Sequence, residues 1–143
     1  MPEYTANAVQ TVAAGGNVLF TETAVPCTTG AVLHREGAGV ITLRGLVNNA
    51  GNFARYKVSF GANVAVPTGG TVGPIGLALA ISGEPIPTSS MISTPAAADE
   101  YNNVYGSLFV EVPRGCCMSI AVENTGGEAI NVQNANIIVE RVA

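Results

Sequence analysis

Residues 104–124 constrain the fold more than any other stretch of the chain. Leu108, Val110 and Val112 alternate with Phe109 and Glu111; beyond Pro113-Arg114-Gly115, Met118, Ile120 and Val122 alternate with Ser119, Ala121 and Glu123. Side chains two apart on a strand share a face, so each arm has one apolar and one mixed face. Pro113 has no N–H to give a ladder and Gly115 tolerates positive φ, so the tripeptide reads as a tight turn. The expectation is a β-hairpin inside an all-β protein.

The rest of the chain repeats this pattern. Residues 6–12 and Asn17 to Glu22 read as strands, the second with Val18 and Phe20 on one face. Ala31 to His34 and Val40 to Leu43 flank Glu36-Gly37-Ala38-Gly39 as a hairpin. A turn over 48–52 leads to the longest alternating run, Phe53 to Val66, with Tyr56, Val58, Phe60, Ala62 and Val64 on one face and Arg55, Lys57 and Ser59 on the other. Ile75 to Ile81 is apolar nearly throughout, as in a strand covered on both faces. Pro85 to Thr94 reads as a loose edge, and residues 95–103 as one helical turn too short to stand alone. Residues 129–133 and 136–142 complete about ten short strands, the spacing of a sandwich or barrel. No linker or repeat divides residues 1–143, which read as a single domain.

Composition then bears on the surface. Only 11% of the 143 residues are charged, against roughly 25% in ordinary soluble domains. A small sandwich with so few charges is expected to cover part of its surface with other subunits. The net charge of −4 and the absence of any basic run argue against nucleic-acid binding. Val58 to Gly83 carries no charge, but Pro67, Gly69, Gly70 and Pro74 break it, so no membrane insertion is expected. The Met-Pro-Glu-Tyr-Thr start lacks the basic and apolar regions of a signal peptide.

Four segments in order carry a resemblance: Arg55-Tyr56-Lys57-Val58-Ser59-Phe60, the apolar run through Leu77-Ala78-Leu79-Ala80-Ile81 to Pro87, the strand–Pro-Arg-Gly–strand unit ending at Glu123-Asn124, and the closing Asn136-Ile137-Ile138-Val139-Glu140-Arg141. The order resembles the tumour necrosis factor/complement C1q-like jelly rolls, especially their bacterial relatives at the tips of collagen-like spore and surface proteins. The resemblance implies a two-sheet jelly roll of antiparallel strands that assembles as a homotrimer, with inner-sheet aromatics at the threefold contact. Tyr56, Arg55, Lys57 and Arg141 are the trimer-contact candidates, with Glu111, Glu123 and Glu140 as partners for the cations. No collagen-like stalk precedes the domain in this sequence, which favours a free-standing component of a particle, such as a phage or prophage capsid decoration protein or fibre head, located on the virion or particle surface and contacting a major capsid or other particle protein. The alternative is a carbohydrate- or receptor-binding module on a spore or cell surface, for which Tyr101 and Tyr105 near the 95–105 loop are the only aromatic hint.

Chemistry is sparse. His34 is the only histidine and Asp99 the only aspartate, and neither lies in a nucleophile motif. His34 reads as a solvated turn residue with Glu36 two positions on, and no catalytic residue is expected. Cys27, Cys116 and Cys117 with His34 would make four zinc ligands in number, but the adjacent pair and the missing C-x-x-C spacing argue against a metal site. Alternation places Cys116 on the core face with Met118 and turns Cys117 away; Cys27 and Cys117 are left as candidates for a bridge, within or between chains. No cofactor is expected.

Overall fold

The computed structural model describes residues 2–47 and 51–142. In chain order the strands are β1 (Glu3–Ala6), β2 (Gln10–Val12), β3 (Glu22–Val25), β4 (Val32–His34), β5 (Ile41–Arg44), β6 (Phe53–Ala65), β7 (Ile75–Ile81), β8 (Glu84–Pro85), β9 (Met91–Ser93), β10 (Asn102–Pro113), β11 (Cys117–Asn124) and β12 (Ile130–Arg141), with one 3-10 turn at Pro87–Ser89. They form two antiparallel sheets. The first runs β10-β6-β12-β1-β3 with β2 also on β12; the second runs β4-β5-β11-β7-β8 with β9 also on β7.

The two arms of the 104–124 unit do not pair with each other. β10 pairs with β6 over its whole length, from Asn102↔Val64 to Pro113↔Phe53. β11 pairs with β5 and β7 in the other sheet. The expected hairpin is therefore a corner between sheets. Of the two central turn residues only Gly115 has positive φ (74°), the pattern of a type II turn. Such turns splay their flanking strands, whereas the primed turns of two-residue hairpins match the strand twist. The corner is clasped by the end of β5: Gly45 N–H donates to Cys116 O at 2.8 Å and Gly115 N–H to Gly45 O at 3.1 Å. A Cβ on Gly45 would collide with the Pro113 carbonyl.

Period-2 alternation fills the space between the sheets. Tyr56, Val58, Phe60, Ala62 and Val64 of β6 are buried, and so are Val110 and Val112 of β10, with Leu108 partly buried beside them. Ile41, Leu43, Leu77, Leu79, Ile120 and Val122 meet them from the second sheet. Phe60 packs edge-on against Phe20 with centroids 6.1 Å apart. Full burial of each such side chain is worth about 1.5–3 kcal/mol. Ala78 and Ala80 are also buried, so the middle of β7 is covered on both faces as expected.

Several boundaries differ from the sequence reading. Residues 6–12 split into β1 and β2, both paired with β12 on either side of a bulge at Asn134 (φ 55°). The same bulge joins 129–133 and 136–142 into one strand. Val18 and Phe20 are buried as read, but residues 17–20 make only the Asn17↔Glu123 bridge, and the following strand starts at Glu22. Residues 95–103 form no helical turn: Asp99 sits at φ 61°, donates its N–H to Val66 O at 2.8 Å and accepts from the Thr68 hydroxyl. The predicted 48–52 turn lies in part, at 48–50, outside the described residues.

Candidate functional site

The solvent face of the first sheet is assembled by register. Odd-numbered residues of β10 and β6 point away from the core, and opposite pairs line up as Asn103↔Asn63, Tyr105↔Gly61, Ser107↔Ser59, Phe109↔Lys57 and Glu111↔Arg55. β12 extends the rows with Asn136 beside Gly61, Ile138 beside Ser59 and Glu140 beside Lys57. β1 adds Glu3 opposite Ile138.

Two aromatics stand out of this face. Tyr105 and Phe109 are each 63% exposed. Gly61 leaves room beneath Tyr105, whose ring lies 3.8 Å from where a Cβ would sit. Hydrogen bonds from Ser59 and Ser107 hold the Tyr105 phenol below its ordinary range. Polar groups surround the aromatics in satisfied pairs. Arg55 and Glu111 form an ion pair at 2.9 Å. Asn103 donates to Asn63, Asn63 to Asn134, and Asn136 to Glu3, at 3.1–3.2 Å. Arg55, Phe109, Glu111 and Val142 enclose an open groove of about 560 Å³ at one end of the face. The surface thus offers apolar area, fixed charges and hydrogen-bonding groups, and no nucleophile–base pair stands on it among the described residues.

The trimer-contact candidates divide. Arg55 and Lys57 belong to this face. Tyr56 does not: it is 0% exposed in its own chain, and its hydroxyl donates to Arg44 O at 2.6 Å across the core. Arg141 pairs in register with Tyr56 and lays its guanidinium 6.0 Å from that ring's centroid, on the core side of the sheet. Burial pushes the Tyr56 phenol above its ordinary range, with Arg141 opposing. Of the acidic partners, Glu111 and Glu140 share the face with Arg55 and Lys57, whereas Glu123 lies on the second sheet opposite Ala78. The ligand-loop pair is also corrected: Tyr105 is a β10 residue on the sheet face, and only Tyr101 precedes the strand.

His34 is not a solvated turn residue. It ends β4 with its ring 4.4 Å from that of Tyr4, its Nε2 lies 3.0 Å from Ala38 O, and its Nδ1 is buried without a partner among the described residues. Two-residue parity with buried Val32 was the available signal. Cys27, Cys116 and Cys117 are free thiols, so the structure contains no Cys27–Cys117 bridge. Cys116 is exposed in the corner, because β11 begins one residue later than read. Burial pushes the Cys27 thiol up, but hydrogen bonds from the Thr29 hydroxyl and from the N–H groups of Thr29, Val32 and Gly30 outweigh it and bring the thiol down to about 7. No group of three or more His, Cys, Asp or Glu among the described residues is arranged to hold a metal ion, and no described helix is long and apolar enough to cross a membrane.

No protein-family model and no curated protein matches the chain in sequence. Solved structures do match it in shape. Eiger TNF from S. frugiperda is 12% identical, with a TM-score of 0.70 over 99% of this chain and 91% of that one. The globular domain of the zebrafish complement 1qA protein is 15% identical, with a TM-score of 0.62 over 96% and 94%. Murine APRIL is 10% identical, with a TM-score of 0.62 over 97% and 98%. Near-complete coverage in both directions by three such structures fixes the architecture: this chain folds as a tumour necrosis factor/C1q-like jelly roll.

Proposed function

We propose that the chain is a non-enzymatic assembly domain that forms a homotrimer through the solvent face of its first sheet. One observation carries this reading: Tyr105 and Phe109 stand exposed on a face where the Arg55–Glu111 ion pair lies beside them. Exposed aromatics among satisfied polar groups are the composition of a protein–protein contact, in which aromatics supply area and charges set register. The jelly-roll likeness and the 11% charge content support the same conclusion. A closed threefold arrangement covers the face without leaving a surface that polymerises. Arg55 and Lys57 are the contact cations in this reading. In its finer form the trimer decorates a particle, a phage or prophage capsid or fibre, leaving turns such as 36–39 for the particle protein.

The reading is tested by sedimentation of wild type and Phe109→Glu at micromolar concentration. The wild type sediments as a trimer, and the variant as a folded monomer, because a carboxylate buried at the contact without a full partner is strongly unfavourable. A monomeric wild type would return the chain to the alternative of a monomeric carbohydrate- or receptor-binding surface module.

A further inference from the structure

A second site lies at the end of the sandwich where β6 and β11 finish and β7 and β12 begin. Between the two sheets there, Val66, Val72, Pro74, Ile75, Ala129 and Ile130 line a cavity of about 130 Å³. Val66, Ile75 and Ile130 are buried in its wall, and Val72 is exposed. The wall is preset by Asn124, itself buried. Its side chain donates to Glu128 O at 2.9 Å and to Val12 O at 3.1 Å, and accepts the Gly126 N–H at 3.0 Å, which ties the 124–128 turn to the sandwich. Sites for whole small molecules measure roughly 300–1,000 Å³, whereas an apolar hollow of about 150 Å³ holds one small hydrocarbon group. The cavity therefore suits a single aliphatic side chain. A neighbouring hollow of about 190 Å³ shares Pro74, Ile75 and Gly126 with it and adds the exposed Ile92. Side chains i and i+2 of an extended segment point the same way, so two hollows side by side fit one strand-like segment.

The charges at this end are of one sign. Glu128 lines the cavity. Asp99 gives its N–H to Val66 O at 2.8 Å and Glu100 follows it, both exposed. The six cations of the chain lie elsewhere. Arg44 stands opposite Cys117, Arg55 and Lys57 opposite Glu111 and Phe109, and Arg141 opposite Tyr56; Arg114 is in the corner turn and Arg35 follows β4. We propose that this end docks an extended segment of a partner protein that presents aliphatic side chains at alternate positions, flanked by lysine or arginine. The aliphatic groups fill the two hollows, and the flanking cations face Glu128, Asp99 and Glu100. Apolar burial supplies the affinity, and the carboxylates select the sign of the partner's charge. The docking end is separate from the sheet face and does not require the trimer.

The test titrates the isotope-labelled full chain with acetyl-Lys-Leu-Ser-Leu-Lys-amide and follows backbone amide shifts by NMR. Saturable shifts are expected at Ile75, Gly126, Ala129 and Ile130. The same peptide with glutamate in place of both lysines is expected to bind about tenfold more weakly at low salt, and high salt is expected to narrow that gap. Glu128→Gln is expected to weaken binding of the lysine peptide several-fold. Gly73 also lines the cavity, and a Cβ there meets nothing within 4 Å; Gly73→Leu is expected to abolish the shifts while circular dichroism shows the fold retained. Phe109→Glu is expected to bind the peptide as wild type does, whatever its mass, which separates this end from the assembly face. Equal binding of the two peptides, loss of binding in Phe109→Glu, or no saturable shift around the cavity would overturn the proposal. So would the same shifts arising with protein concentration alone, which would assign the hollows to a second copy.

Discussion

The two sheets contribute alike to the core and differently to solvent. Outward positions on the first sheet carry Tyr105, Phe109, Lys57, Arg55, Glu111 and Glu140. Their counterparts at the centre of the second are Thr42, Ser119, Ala121, Ala78 and Gly76. Its large exposed apolar groups, Leu33 on β4 and Ile92 on β9, sit on strands at its margins. Alternation alone cannot produce this asymmetry, since both sheets obey it. The outward set of the first sheet is what a specific contact requires: area in the middle and charges around it. The second presents mostly small groups, with Arg44 and Glu123 as charged positions and no large aromatic at its centre.

Core truncation gives the largest effect and removes both faces together. Phe60→Ala should cost about 3–5 kcal/mol in chemical denaturation, since Phe60 is fully buried against Phe20. A matched pair then separates the faces. Tyr105→Glu and Ile92→Glu place the same charge at positions 63% and 70% exposed in the protomer. The first should abolish assembly in size-exclusion chromatography; the second should leave it intact and change stability by less than about 0.5 kcal/mol. Equal loss of assembly by both variants would erase the distinction between the sheets. Tyr56→Phe alters neither face but removes the 2.6 Å bond to Arg44 O that ties the first sheet to the second; it should cost about 1 kcal/mol with assembly unchanged.

The smallest effect is a pH dependence. The Cys27 thiol is depressed to about 7 in the folded chain, so its contribution to stability is present above the ordinary thiol pKa and is lost as pH falls through 7. Thermal melts of wild type against Cys27→Ser, which lie on the seam between the sheets rather than on either face, should therefore diverge from pH 6 to pH 9 in favour of wild type. A constant difference would remove the thiolate from the account.

How much was legible followed from how local the determinants were. The inward face of β6 could be read because Arg55, Lys57 and Ser59 mark the opposite parity unambiguously. The all-β class was legible for the same reason, strand by strand, while the jelly-roll arrangement was what the family resemblance implied. The corner at Pro113–Gly115 was not, since the partners of β10 and β11 lie in β6, β5 and β7, far away in sequence. A type II pattern with Gly second was the one local signal. Tyr105 shares parity with Phe109 and Glu111, so its place on the face was readable once β10 was extended back to Asn102. Tyr56 was read on the inward face, and it and Arg141 became trimer-contact candidates through the resemblance, whereas register puts both on the core side of the first sheet.

The central claim concerns the first sheet's solvent face, and the mass of the particle in solution tests it most directly. Multi-angle light scattering of the wild-type chain at micromolar concentration should return three times the 14.5 kDa chain mass, falling to one chain mass for Tyr105→Glu. A wild-type mass of a single chain that persists at high concentration would contradict it.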